Sequence, residues 1–147
     1  MDYDALKQKH RLPDIEIIDF EFEIDRNAKF ILREIRRKIH EKLGACAEII
    51  EGILQPDTNS FPQMYETAYF DESEKTKVMR TYRKIMKLIR ESAEAGLKCS
   101  DEEDAKFILE ALKEWNEIKE NTSSTAEKLK NSWANETESE SDLRYMG

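Results

Sequence analysis

The chain has 147 residues, a formal net charge of −8 and a charged fraction of 38%. With only 4 Gly and 3 Pro, it has too few turn residues for a β-sandwich, in which most strands end at a sharp turn. The acidic balance argues against general binding of the whole chain to nucleic acid or to an anionic membrane, because like charges repel.

The first predicted element is residues 14–25, DIEIIDFEFEID, in which six acids alternate with six apolar residues. Strict alternation favours a strand with one buried face. No other part of the chain has a strand pattern, and a lone strand leaves its backbone groups unpaired. We therefore favour a helix here, with an extended segment that pairs with its own copy in a dimer as the alternative.

As a helix, this segment would carry two apolar stripes on opposite sides, Ile15, Ile18 and Phe22 on one and Ile17, Phe20 and Ile24 on the other. Either conformation gives it an apolar side that needs cover, from a partner or from the rest of the chain. The sequence predicts an interaction surface made of Ile17, Phe20, Phe22 and Ile24.

Residues 28–54 carry apolar side chains at steps of three and four, which predicts one long helix. Asp25 or Asn27 is the predicted N-cap, and Gln55-Pro56 ends the helix. A short linking helix follows over 63–70, after a capping-box pattern of Ser60 with Gln63.

A second long helix is predicted from the capping box of Asp71 with Glu74 to about Ala95, where Gly96 would close it in a left-handed conformation. A third begins at the capping box of Ser100 with Glu103. The run at 121–125, NTSST, is poor in helix formers. It predicts a break, followed by a short helix over 126–133.

Together these elements predict an all-α fold, an antiparallel bundle of three long helices with shorter N-terminal, linking and C-terminal helices. We expect a single domain over 1–134 and an acidic, mobile tail over 135–147. The chain has no long apolar run and no paired cysteines, since Cys46 and Cys99 are far apart. We therefore expect a cytoplasmic protein without a disulfide framework or zinc site, and no membrane partner.

Residues 75–90 contain seven basic side chains and no acid. Six of them fall on one arc of the predicted helix, namely Lys77, Arg80, Arg83, Lys84, Lys87 and Arg90. Such an arc is suited to phosphate binding, to a nucleic acid or to a phosphate-bearing ligand. We favour the other interpretation, internal neutralisation by the acids of residues 14–25, of residues 101–104 and of the tail.

Two carboxylate pairs, Glu48 with Glu51 and Glu91 with Glu94, resemble the pairs with which helical nucleotide pyrophosphatases hold Mg²⁺ beside a pyrophosphate. The Glu-x-x-Asp that this family places further along the chain is not found. Gly44, inside a predicted helix, is expected to mark close contact with a neighbouring helix. We predict no catalytic residue, no metal ligand and no cofactor.

The sequence thus favours a non-enzymatic protein that self-associates or binds a protein partner. Binding of nucleic acid or a phosphate-bearing ligand through the basic face is the alternative, and Mg²⁺-dependent nucleotide hydrolysis is a third possibility.

Overall fold

The computed structural model describes residues 2–134, and it contains six helices in that range. They are α1 (Tyr3–His10), α2 (Ile15–Phe22), α3 (Ile31–Leu54), α4 (Phe61–Thr67), α5 (Glu72–Lys98) and α6 (Asp101–Ala134). No strand occurs between residues 2 and 134, so the prediction of an all-α fold is confirmed. The predicted acidic tail at 135–147 lies outside the described residues.

The body of the molecule is a bundle of the three long helices α3, α5 and α6, each of which packs against the other two. Arg36 in the second turn of α3 contacts Ser92 near the end of α5, so these two helices are antiparallel. Lys84 of α5 meets Glu117 of α6, and Glu74 meets Lys128 further along, which makes α5 and α6 antiparallel as well. The predicted bundle is confirmed.

Aliphatic side chains from all three long helices fill the core. They recur at steps of three and four, so one stripe of each helix faces inward. Burial of each large aliphatic side chain contributes about 1.5–3 kcal/mol to folding. The fully buried ones are Leu32, Ile35, Ile39, Leu43, Ile50, Ile53, Ile85, Ile108 and Ile118, joined by Ile18 from α2.

The alternating segment is a helix over Ile15–Phe22, so the favoured prediction of a helix is correct for most of residues 14–25. A helix pairs its own backbone groups, which a strand without a neighbour cannot do. Ile18 and Phe22 face the bundle. The helix ends at Glu23, whose backbone is left-handed with φ of 54°.

The start of α3 differs from the prediction. The helix begins at Ile31, with Phe30 at the N-cap position and no side-chain cap. Asp25 instead accepts a hydrogen bond from the Asn27 backbone N–H at 3.0 Å, and its own N–H donates to Glu34 Oε2 at 3.0 Å. The predicted caps are wrong because a turn at residues 25–28 uses these polar groups before the helix starts.

Of the two capping boxes predicted at the ends of the bundle, one forms in full and the other as an N-cap alone. Asp71 and Glu74 form a complete capping box, in which each side chain accepts from the other residue's backbone N–H, at 2.8 and 3.0 Å. At the start of α6, the Ser100 hydroxyl accepts from the Glu103 N–H at 3.1 Å. These caps fix where the two longest helices begin.

The linking helix α4 starts at Phe61, two residues before the predicted 63–70. Ser60 accepts from the Gln63 N–H at 3.4 Å, but the Gln63 side chain accepts from Asp57 instead of completing the box. Because Pro62 stands in the first turn, its missing N–H costs no hydrogen bond there.

Neither helical glycine singled out by the sequence has the role predicted for it. Helix α5 continues through Gly96 to Lys98, and Cys99 takes the left-handed conformation with φ of 52°. A Cβ atom on Gly96 would lie 3.2 Å from Arg36 Nη2, so this glycine leaves room for the guanidinium group. A Cβ atom on Gly44 would meet nothing within 4 Å, so close contact is not the reason for that glycine.

The predicted break at 121–125 is also wrong. Helix α6 is continuous for 34 residues, and at a rise of 1.5 Å per residue it is about 50 Å long. Thr122 and Thr125 are buried against the bundle, and Asn121 Nδ2 donates to the Thr81 hydroxyl of α5 at 3.3 Å. Tertiary contacts therefore stabilise a segment whose own helix propensity is low.

Candidate functional site

Helix α2 exposes one apolar face to solvent. Phe20 is 86% exposed and Ile17 is 59% exposed, although both belong to an ordered helix. The other two members of the predicted interaction surface lie in the core. Phe22 packs on Trp115 with the ring centroids 5.0 Å apart, and Ile24 is buried just after the helix ends. The exposed apolar face is therefore Ile17 and Phe20 alone.

Glu21 anchors α2 to α6. Its carboxylate accepts from Lys119 Nζ at 2.7 Å and from Trp115 Nε1 at 3.0 Å. The hydrogen bond from Lys119, followed by the one from Trp115, lowers the pKa of Glu21. The buried side chains of Ile18 and Phe22 hold the same helix against the bundle. Phe20 is thus exposed on a helix that is fixed in place.

Acidic side chains surround this apolar face. Asp14, Glu16 and Glu23 are all exposed, and Asp19 is half-buried beside them. Arg26 lies 2.9 Å from Asp19 and 3.6 Å from Glu16, and Lys7 contacts Asp14. Glu23 has no basic partner within residues 2–134. The face therefore combines two exposed apolar side chains with a rim of acids, of which Glu23 is unpaired among the described residues.

The six predicted phosphate-binding residues all lie on α5 and fall into two groups. Lys77, Arg80 and Lys84 line a groove between α5 and α6, whereas Arg83, Lys87 and Arg90 are exposed outside it.

Three acids of the bundle pair with this basic face. Lys84 Nζ lies 2.7 Å from Glu117 and 3.3 Å from Glu114, and the hydrogen bonds that it donates to these two carboxylates raise its pKa. Lys87 lies 3.6 Å from Glu91. The remaining four cations of the face have no carboxylate within 4 Å among the described residues, namely Lys77, Arg80, Arg83 and Arg90.

The acidic segments predicted to neutralise the basic face lie elsewhere. Residues 14–25 pair with Lys7, Arg26 and Lys119, and not with α5. In the cluster at 101–104, Asp104 pairs with Arg36 of α3 and Glu103 lies 3.7 Å from Lys98, beyond the basic face. These two segments therefore do not neutralise the basic face of α5, because α2 packs across α3 and α6, although Asp104 does pair with a cation of α3. The tail lies outside the described residues.

The groove between α5 and α6 has a volume of about 520 Å³. Lys128 contributes a fourth cation from α6, and Asn121, Ser124 and Thr125 contribute polar groups. The Lys128 ammonium contacts Glu74 and lies 5.1 Å from the centre of the Phe70 ring. Reasoning from the sequence missed this α6 side. The sequence signal for these α6 residues is the polar run at 121–125, which by helix propensity alone predicts a break.

A buried polar network joins the three long helices. Arg36 Nε donates to Asp104 Oδ1 at 2.7 Å, and Arg36 Nη1 donates to the Ser92 hydroxyl and carbonyl, both at 3.2 Å. His40 Nδ1 lies 2.8 Å from the same hydroxyl. Burial, with the charge of Arg36 adding to it, lowers the pKa of His40. Ser92 is fully buried, so this serine–histidine contact is structural and has no access for a substrate.

Three of the four carboxylates that suggested a magnesium site have other partners. Glu51 accepts from the Tyr82 hydroxyl at 3.3 Å, and Glu91 and Glu94 form ion pairs with Lys87 and Lys98. Among residues 2–134, no three His, Cys, Asp or Glu side chains stand together in a way that could hold a metal ion.

No protein-family model, curated protein or solved structure matches this chain. Within the described part of the chain, no helix is both long enough and apolar enough to cross a membrane.

Proposed function

We propose that this chain acts by binding rather than by catalysis, and that it self-associates through the apolar face of α2, Ile17 and Phe20. The observation that carries the proposal is the 86% exposure of Phe20 on a helix whose inward face is anchored to α6. Burying a phenylalanine side chain contributes about 1.5–3 kcal/mol, which the isolated chain does not gain at this position. A contact that covers Phe20 recovers that free energy.

The proposed partner surface is the outer side of α5 on a second copy. It carries Arg83, Lys87 and Arg90, with Met79 exposed on the same helix. These groups complement the acid-rimmed apolar face of α2 in both charge and polarity. Because the two surfaces differ, the contact is head-to-tail and leads to rings or chains of molecules. Added salt should weaken it, since the charges are exposed.

The direct test replaces Ile17 and Phe20 together by Ser and measures the molar mass by light scattering across a dilution series. The wild-type mass should rise with concentration above the 17.3 kDa of one chain, and the variant should remain at that value. Ile49→Ser is the matched control, because Ile49 is 40% exposed on α3 beside Gln63 and Glu66, away from α2 and from the outer side of α5. Phe22→Ser is unsuitable, since Phe22 packs on Trp115 in the core.

A mixing experiment tests the head-to-tail geometry. The I17S/F20S chain retains its α5 surface, and an R83E/R90E chain retains its α2 surface. Each alone should be monomeric, but an equimolar mixture should form a dimer and stop there, because only one complementary pair of faces remains. A wild-type chain that stays monomeric at every concentration would refute self-association, and a monomeric mixture would refute the α2-to-α5 contact.

A further inference from the structure

We propose that the groove between α5 and α6 binds a small molecule that carries a phosphate group. This site does not depend on self-association, because the groove is lined by a different set of residues from the apolar face of α2. The argument rests on the charges that line the groove, on the polar run of α6 and on the size of the groove.

Four cations and two carboxylates line the groove, in a chain whose net charge is −8. The carboxylates of Glu74 and Glu117 pair with Lys128 and Lys84. Lys77 and Arg80 have no acidic partner within residues 2–134, and they are exposed one helical turn apart. Their donors are available to phosphate oxygens, which a guanidinium group can bind through two parallel hydrogen bonds.

The wall formed by α6 supplies a free hydroxyl. Asn121, Ser124 and Thr125 line the groove, and the Ser124 hydroxyl has no hydrogen-bond partner among the described residues. The Thr125 hydroxyl donates to the Asn121 carbonyl, and Asn121 Nδ2 donates to the Thr81 hydroxyl. These residue types lower helix propensity, yet they occupy the interior of a continuous helix. Local sequence that disfavours its own secondary structure is most often retained at functional sites. Hydroxyl and amide groups beside cations are the groups that typically bind phosphate.

The dimensions favour a small ligand over a nucleic acid. A volume of about 520 Å³ falls within the usual range of small-molecule pockets. Phe70 and Val78 add an apolar wall beside the charged groups. The remaining cations of α5, Arg83, Lys87 and Arg90, do not line the groove, so the site uses only part of the basic face.

The test is isothermal titration calorimetry with pyrophosphate and with ATP as probes, at about 50 mM salt, where exposed charges are only partly screened. The K77E/R80E variant should bind at least about tenfold more weakly than wild type, because it loses two hydrogen-bonded cations. R83E/R90E carries the same change in net charge outside the groove, and its affinity should fall by no more than a few fold. Ser124→Ala should weaken binding several fold, with the charge unchanged.

Three results would overturn the proposal. The first is a wild-type chain that binds neither pyrophosphate nor ATP under these conditions. The second is equal weakening by K77E/R80E and R83E/R90E, which indicates long-range attraction without a site. The third is tight binding of a single-stranded oligonucleotide that depends on Arg83 and Arg90 while the two small probes do not bind. Because S124A leaves α2 and the outer side of α5 intact, its effect is independent of self-association.

Discussion

At the scale of single residues, Thr122 has an unusual position. Its side chain is buried, and its Oγ1 atom has no hydrogen-bond partner within residues 2–134. The Cys46 thiol is close by: burial raises the pKa of this thiol, and the Thr122 hydroxyl offsets part of that rise. A thiol is only a weak hydrogen-bonding group, so the hydroxyl stays largely unsatisfied. A buried polar atom in this state lowers the stability of the fold.

Thr122→Val should therefore raise the free energy of unfolding by about 1 kcal/mol, because valine has the same shape without the unsatisfied hydroxyl. Urea denaturation followed by circular dichroism measures the change. Thr125→Val is the matched control: Thr125 is also buried on α6, but its hydroxyl donates to the Asn121 carbonyl at 3.0 Å. The control should show no gain. A loss of stability in T122V would mean that the hydroxyl has a partner after all.

At the scale of whole elements, α3 and α5 each contain a glycine whose surroundings differ. Glycine in a helix interior lowers stability by roughly 0.5–1 kcal/mol relative to alanine. At Gly96 the missing side chain leaves room for a contact, because the Arg36 guanidinium occupies the space that a Cβ atom would take. At Gly44 the space is open. The same substitution should therefore have different effects in the two helices.

Gly44→Ala should raise the free energy of unfolding by about 1 kcal/mol, through helix propensity alone. Gly96→Ala should give no gain or a loss, because its Cβ would displace the guanidinium that bonds Asp104 and Ser92. Thermal unfolding of both variants beside wild type measures the difference. Equal gains in the two variants would show that Arg36 moves aside freely.

At the scale of the whole molecule, the network around Arg36 connects all three long helices at one end of the bundle. Arg36 and His40 come from α3, Ser92 from α5 and Asp104 from α6. The network includes a histidine whose pKa is lowered by burial and by the neighbouring positive charge. Protonation of that histidine is therefore coupled to the packing of the bundle.

His40 should make the fold less stable in mild acid. The unfolded chain holds the histidine proton more tightly than the folded one does, so stability that is fully present above about pH 6.5 is lost as the pH falls from there through the lower pKa of the folded state. His40→Asn should reduce the fall in melting temperature between about pH 7 and pH 5, a window around the ordinary histidine pKa. Identical slopes for wild type and H40N would contradict the coupling.

Local interactions in the sequence determined which segments are helical. The steps of three and four in residues 31–54, the capping box of Asp71 with Glu74 and the proline after Gln55 act within a few residues of chain. Such patterns are readable because the hydrogen bonds and faces of a helix depend on sequence neighbours. They were enough to predict the three-helix bundle and the position of its basic face.

Only the tertiary structure decided which faces are covered and which polar groups meet. Tertiary contacts stabilise α6 as a helix through 121–125, bury Phe22 and leave Phe20 exposed. They also bring Lys77 of α5 and Lys128 of α6 into the lining of one groove. The tertiary structure also joins Arg36 to Asp104 across 68 positions of sequence. These outcomes depend on contacts between distant segments, whose free energy exceeds the small differences in local propensity. A pattern along one segment does not reveal which other segment it meets.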